Sequence, residues 1–167
     1  DDLKPSMSKL IILNHVKEGI ELGKKYKLNP RIVDFITQHH GTTVMQYFYY
    51  MAKKSNEDGE QTEDDYRYPG PRPQTKEIAI VSLADTIEAV SRTLDDPSPA
   101  RIEELVRETV RKRFMEGELD DANITMRELN AISESFIRVL NATFHTRINY
   151  PQDQESEDRD SRPAKGK

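Results

Sequence analysis

The chain has 167 residues, 35% hydrophobic and 33% charged, with a net charge of −5 and no cysteine. That length suits one domain with a real core, and the acidic balance argues against sequence-independent binding to a nucleic acid polymer. Disulfides and thiolate metal sites are excluded, and no apolar run approaches the ~20 residues of a membrane span, so no membrane contact by the chain itself is expected.

Asp1-Asp2-Leu3-Lys4-Pro5 lacks the basic and apolar regions of a signal peptide. From about Ser6 to Tyr26, apolar side chains recur at helical spacing through Met7, Leu10, Ile11, Leu13, Val16 and Ile20, with Ser6 a candidate cap. Asn29-Pro30 then restarts the chain, Asn29 as cap and Pro30 at the first helical position. The second helix is predicted to bury Ile32, Val33 and Ile36, run to about His40 and stop at Gly41. Thr42 or Thr43 is expected to cap a third helix through Val44, Met45, Tyr47, Phe48 and Met51.

Ser55 to Asp65 is acidic and lacks an apolar anchor, which predicts a mobile loop. The segment Tyr66-Arg67-Tyr68-Pro69-Gly70-Pro71-Arg72-Pro73-Gln74 cannot be helical and reads as an extended strap. Thr75 caps a fourth helix through Ile78, Ile80, Val81, Leu83, Ile87 and Val90 to about Leu94. After the turn Asp95-Asp96-Pro97-Ser98-Pro99, a fifth helix carries Ile102, Leu105, Val106, Val110 and Phe114 and ends near Gly117. Thr125 and Glu128 form a capping box for a sixth helix through Leu129, Ile132, Phe136, Ile137, Leu140 and Phe144. From Pro151 the chain is polar and without aromatics, as disordered segments are.

Three of the four histidines fall at notable places. His15 follows Ile11 by four residues, His40 follows Ile36 by four, and His39 follows Ile32 by seven, so all three are predicted to face inward. Asp85 follows Val81 by four and Ile78 by seven and is predicted to be buried with them. Buried imidazole and carboxylate need compensation, which one metal ion supplies to all of them. Each also has a plain structural explanation: a hydrogen-bonded core histidine, a favourable helix-end dipole contact, or Asp85 paired with Arg92 or Arg138. Arg72, Lys76 and Glu77, where the strap meets a helix N-terminus, form a candidate phosphate contact. Tyr47, Tyr49, Tyr50, Tyr66 and Tyr68 could stack on a base but read mostly as core or loop anchors. The charged run from Arg101 to Arg113 reads as an exposed face.

Four segments occur in an ordered series: Ile12-Leu13-Asn14-His15-Val16-Lys17-Glu18-Gly19, Gln38-His39-His40-Gly41-Thr42-Thr43, Tyr68 through Glu77, and Leu83-Ala84-Asp85-Thr86-Ile87-Glu88-Ala89. In this series the chain resembles the cytoplasmic HD domain of bacterial seven-transmembrane HD-family receptors, which are cyclic di-AMP phosphodiesterases. The resemblance implies an all-α, HD-domain phosphohydrolase-like helical bundle, incomplete at the N-terminus. Residues 1–150 would be the C-terminal part of that domain, with 55–67 a mobile acidic loop and 151–167 a disordered tail. It implies a metal-dependent phosphodiesterase cleaving cyclic di-AMP to pApA with two divalent ions, iron or manganese. The histidines matching His15, His39 and His40 would ligate one metal, and the aspartate matching Asp85 the other. It also implies the cytoplasmic part of an integral membrane protein.

No His-Asp dipeptide occurs in the 167 residues, a departure from the family pattern. The chain is therefore expected to be a fragment that holds at most one ion, is inactive alone, and self-associates through an exposed apolar face or keeps a looser core. The alternatives are an HD phosphohydrolase of another nucleotide and a non-catalytic, nucleotide-sensing or partner-binding helical module.

Overall fold

The computed structural model describes residues 5–54 and 62–145, with side chains from Met7 onward. Among the described residues there are six α-helices: α1 (Pro5–Lys25), α2 (Pro30–Gln38), α3 (Gln46–Lys54), α4 (Lys76–Ser91), α5 (Pro99–Met115) and α6 (Met126–His145). The all-α expectation is met. No helix among them is long and apolar enough to cross a membrane. Ser6, as a cap, and the tail 151–167 lie outside the described side chains and residues.

Local chemistry sets most of the boundaries. Asn29 accepts from the Arg31 amide, with Pro30 opening α2, and Thr75 accepts from the Ile78 amide at the start of α4. Ser98 caps α5 in the same way, and the chain leaves α5 through Gly117 at φ +74. Before α6, Thr125 and Glu128 bond reciprocally: the Glu128 carboxylate accepts from the Thr125 amide and hydroxyl, and the Thr125 hydroxyl accepts from the Glu128 amide.

The α2–α3 junction departs from the expectation. Helix α2 ends at Gln38, His39 is its C-cap, and α3 starts only at Gln46. Neither Thr42 nor Thr43 caps α3, because both hydroxyls are used elsewhere: Thr42 donates to Glu118 and Thr43 to the His40 carbonyl. Val44 instead forms an antiparallel bridge with Arg67. The acidic segment also differs in part. Residues 55–61 lie outside the description, while Asp64–Tyr66 form a short 3-10 helix and Tyr66 is 1% exposed. A buried aromatic at its end anchors this stretch to Val44 and Ala52.

Two cores result. Ala79, Leu83 and Ile87 of α4 pack with Val106 and Val110 of α5 and Leu129 of α6. Val44, Ala52 and Tyr66 form a second cluster with Phe48 and Tyr49. Helix α4 also packs on α2, and α1 packs on α2 and α3. At Gly19 of α1 an added Cβ would lie 2.7 Å from Ile36 Cγ2, so glycine permits the close α1–α2 approach. Several predicted core positions are exposed instead, among them Ile32, Ile80, Val81 and Val90. These helices are apolar around more of their circumference than the described neighbours cover. On α1, Met7, Leu10, Ile11 and Leu22 are likewise exposed.

Lys76 of α4 donates to Glu128 at 2.6 Å and so ties the start of α4 to the start of α6. That bond first, and then the Thr125 amide and hydroxyl, pull the Glu128 carboxyl down to about 2 from an ordinary 4.5. A carboxyl lowered on folding contributes stability above its unfolded value and loses it as the pH falls towards the folded one. The wild-type urea midpoint should therefore drop between about pH 4.5 and 2 more steeply than that of Glu128→Gln. Equal acid slopes for the two proteins in urea titrations would contradict this assignment.

Candidate metal centre

His39 is held by the end of its own helix. Its Nδ1 lies 2.9 Å from the Ile36 carbonyl and 3.1 Å from that of Phe35. A carbonyl only accepts, so Nδ1 carries the proton and Nε2 keeps a free lone pair. His15 Nδ1 faces the Ile12 carbonyl one turn back in α1, which leaves its Nε2 free in the same way. His40 stands one residue beyond the cap of α2, and its Nε2 lies 3.0 Å from His15 Nε2. Two nitrogen lone pairs at that separation repel unless a proton or a cation lies between them.

The three histidines form a group whose ligand atoms lie within 4.8 Å of one another. Imidazole–metal bonds of about 2.0–2.1 Å put two ligands of one ion at most roughly 4 Å apart, so small side-chain rotations complete the convergence. The donor set therefore fits a divalent cation. Burial, and then the neighbouring His39 and His15 rings and the Arg113 guanidinium, hold His40 down at about 3. It is thus neutral at physiological pH, the state a metal ligand needs.

Asp85 Oδ2 lies 3.6 Å from His40 Nδ1. With His40 neutral this is a carboxylate beside an imidazole, not an ion pair. The side chain of Asp85 is 51% exposed, which corrects its predicted burial: α4 turns its packed face to α5 and α6 and leaves Asp85 at the edge of the histidine group. His15 is exposed for a related reason, since it shares the open face of α1 with Ile11. His39 and His40 are half-buried. The arginines weighed as partners for Asp85 are engaged elsewhere, Arg92 with Glu88 and Arg138 with Ser135.

The strap frames the site. Tyr68 stacks on His40, with centroids 4.2 Å apart and planes 19° apart, and its amide donates to the Thr43 carbonyl. Burial, and then the charge of Asp85, push its phenol up to about 12, so Tyr68 adds no negative charge at neutral pH. Tyr66 is a core anchor, as most of the tyrosines were expected to be. Gln38, 8% exposed at the end of α2, accepts from the Gln74 amide at 2.9 Å and pins the far end of the strap.

The predicted phosphate contact looks different in three dimensions. Lys76 is paired with Glu128 at 2.6 Å, Arg72 lies 3.8 Å from Asp120, and Glu77 is exposed. Thr75 occupies the amide end of α4 itself. A free anion cradle, expected from Arg72, Lys76 and Glu77, is thus largely filled from within the protein. The sequence reading missed Arg113 and Glu118. Arg113 has a side chain only 14% exposed and donates to Glu116 and to the Thr86 hydroxyl beside Asp85. Arg113 lies in the last turn of α5 and Glu118 just beyond that helix, and only their partners 27 and 76 residues away distinguish them.

Residues 2–90 match the HD domain model. The chain is 42% identical over 153 residues to the cyclic-di-AMP phosphodiesterase PgpH of Bacillus subtilis, covering 91% of this chain and 21% of that protein. It is 43% identical over 155 residues to PgpH of Listeria monocytogenes, covering 93% of this chain and again 21% of the relative. The chain thus spans about a fifth of the length of these relatives. It also matches the crystal structure of the L. monocytogenes PgpH HD domain in complex with cyclic-di-AMP, with a TM-score of 0.79 and 42% identity, over 89% of this chain and 68% of that one. The chain belongs to the HD-domain family.

Proposed function

We propose that this chain carries part of the metal centre of a phosphodiesterase that cleaves cyclic di-AMP to linear pApA. The observation that carries the reading is the meeting of three imidazoles from α1 and the α2 terminus. The similarity to a phosphodiesterase domain solved with cyclic-di-AMP supports the choice of substrate. By the same resemblance the domain belongs to the cytoplasmic side of a membrane protein.

His15, His39 and His40 would hold one divalent ion, iron or manganese. Such an ion supplies Lewis acidity at a phosphoryl oxygen and a nucleophile from water at neutral pH. The backbone carbonyls of Ile12, Phe35 and Ile36 fix the tautomers that leave the Nε2 atoms of His15 and His39 available. Asp85 either ligates a second ion or orients His40 through Nδ1, the carboxylate–histidine arrangement common at such sites. Tyr68 keeps the His40 ring in place and leaves the site without an added phenolate charge. Arg113, close to His40, is already paired with Glu116, as Lys76 is with Glu128. Of the strap residues, Arg72 is the better phosphate contact, since its approach to Asp120 is long, whereas Lys76 is held by Glu128.

A second ion would need ligands beyond these four side chains. Protein made without a histidine tag and dialysed against manganese or ferrous iron should bind at most one ion per chain by metal analysis. The double variant His39→Ala, His40→Ala should bind none, and metal retained by that variant would overturn the ligand assignment. If the variant loses metal yet binds cyclic di-AMP as well as wild type, a nucleotide-sensing role replaces the catalytic one.

This chain alone, supplied with manganese, should not turn over cyclic di-AMP. Robust hydrolysis to pApA, followed by chromatography, would show that these four ligands suffice. Comparing several cyclic dinucleotides tests the alternative of another substrate. The exposed apolar face of α1 should also drive self-association, with a dimer fraction that grows with concentration in light scattering. A monodisperse monomer at every concentration would count against that.

A further inference from the structure

We propose that Glu118 is a positioning residue for the metal centre, its buried carboxylate holding the Gly41–Thr42 turn that aims His40. The inference rests on the metal-binding reading of the histidines. His39 belongs to the end of α2 and is fixed by helix carbonyls, but His40 lies past the helix end. Its direction therefore depends on the turn that follows.

That turn is built around Glu118. The residue lies between α5 and α6, outside the span matched by the HD domain model, and is 3% exposed. Its carboxylate accepts from the Thr42 amide at 2.9 Å and from the Thr42 hydroxyl at 2.5 Å. A buried carboxylate is costly to desolvate, and two donors from one residue compensate it in one geometry. Gly41 has φ +56, and a Cβ there would lie 2.2 Å from Glu118 Oε2. The carboxylate thus fills the space that a side chain at position 41 would take. On the other side of the turn, the Thr43 hydroxyl donates to the His40 carbonyl at 2.8 Å. Glu118 is brought there by α5, which packs on α4, so a contact 76 residues distant along the chain sets the peptide next to a candidate ligand.

Cobalt(II) serves as the probe, because its visible bands report ligand geometry independently of turnover. Wild type should bind one cobalt ion with characteristic bands. Glu118→Ala should bind it about tenfold or more weakly, with shifted bands, the range seen when residues that orient ligands are removed. Glu118→Gln, which keeps one acceptor oxygen, should recover much of that affinity. Leu129→Ala, a core change on α6, should lower the melting temperature and leave the cobalt bands unchanged. Wild-type affinity and bands in Glu118→Ala overturn the proposal. Should that variant fail to fold, Thr42→Val decides: weakened cobalt binding with altered bands supports the proposal, and unchanged binding overturns it. Absence of cobalt binding by wild type refutes the histidine reading itself, and this inference with it.

Discussion

Burial of one face of α4 is the constraint on which the rest of the molecule depends. Ala79 and Leu83 are fully enclosed and Ile87 nearly so, in one cluster with residues of α5 and α6, while the same helix also meets α2. Fully burying a side chain of leucine or isoleucine size stabilises by about 1.5–3 kcal/mol relative to leaving it exposed. The packed face fixes the rotation of α4, and with it the direction of Asp85 and Thr86. It also fixes where α5 ends, which brings Arg113 beside Thr86 and Glu118 beneath the α2–α3 turn. A helix that carries no histidine thus organises the surroundings of His40.

The donor atoms of the site that results suit a cation. Burial holds the His40 imidazole far below its ordinary titration range, and its Nε2 lies 3.0 Å from that of His15. Such a pair gains most from a positive charge placed between the nitrogens. Around it stand Arg113, paired with Glu116 at 2.9 Å, and Tyr68, which keeps its proton. Asp85, half-exposed at the rim, is open to solvent and to ligands alike.

The strap and the α2–α3 turn are joined by polar contacts as well as by the packing of Tyr66 on Val44. Tyr68 bonds to Thr43, Met45 to the Tyr66 carbonyl, Arg67 to the Thr42 carbonyl and Gln74 to Gln38. The prolines that exclude helix leave carbonyls and a few amides free for this role. The nearby cations are also taken: Arg72 of the strap faces Asp120 ahead of α6, and Lys76 of α4 faces Glu128 in the first turn of α6. Internal pairing of this kind competes directly with phosphate.

Apolar spacing and cap chemistry were enough to read six helices, the caps at Asn29, Thr75 and Thr125, and the candidate ligands His15, His39, His40 and Asp85. These are short-range properties: a cap is satisfied within three residues, and an apolar stripe needs only the helical period. Periodicity says which residues share a face but not whether anything covers it, so Ile32, His15 and Asp85 lay on the expected faces yet proved exposed. The convergence of α1 with the end of α2, the loss of Thr42 as a cap, the pairing of Lys76 and the role of Glu118 were decided by tertiary structure alone. Each depends on a partner 25 to 76 residues away, and hydrogen bonds and charges at that range leave no spacing pattern along the chain.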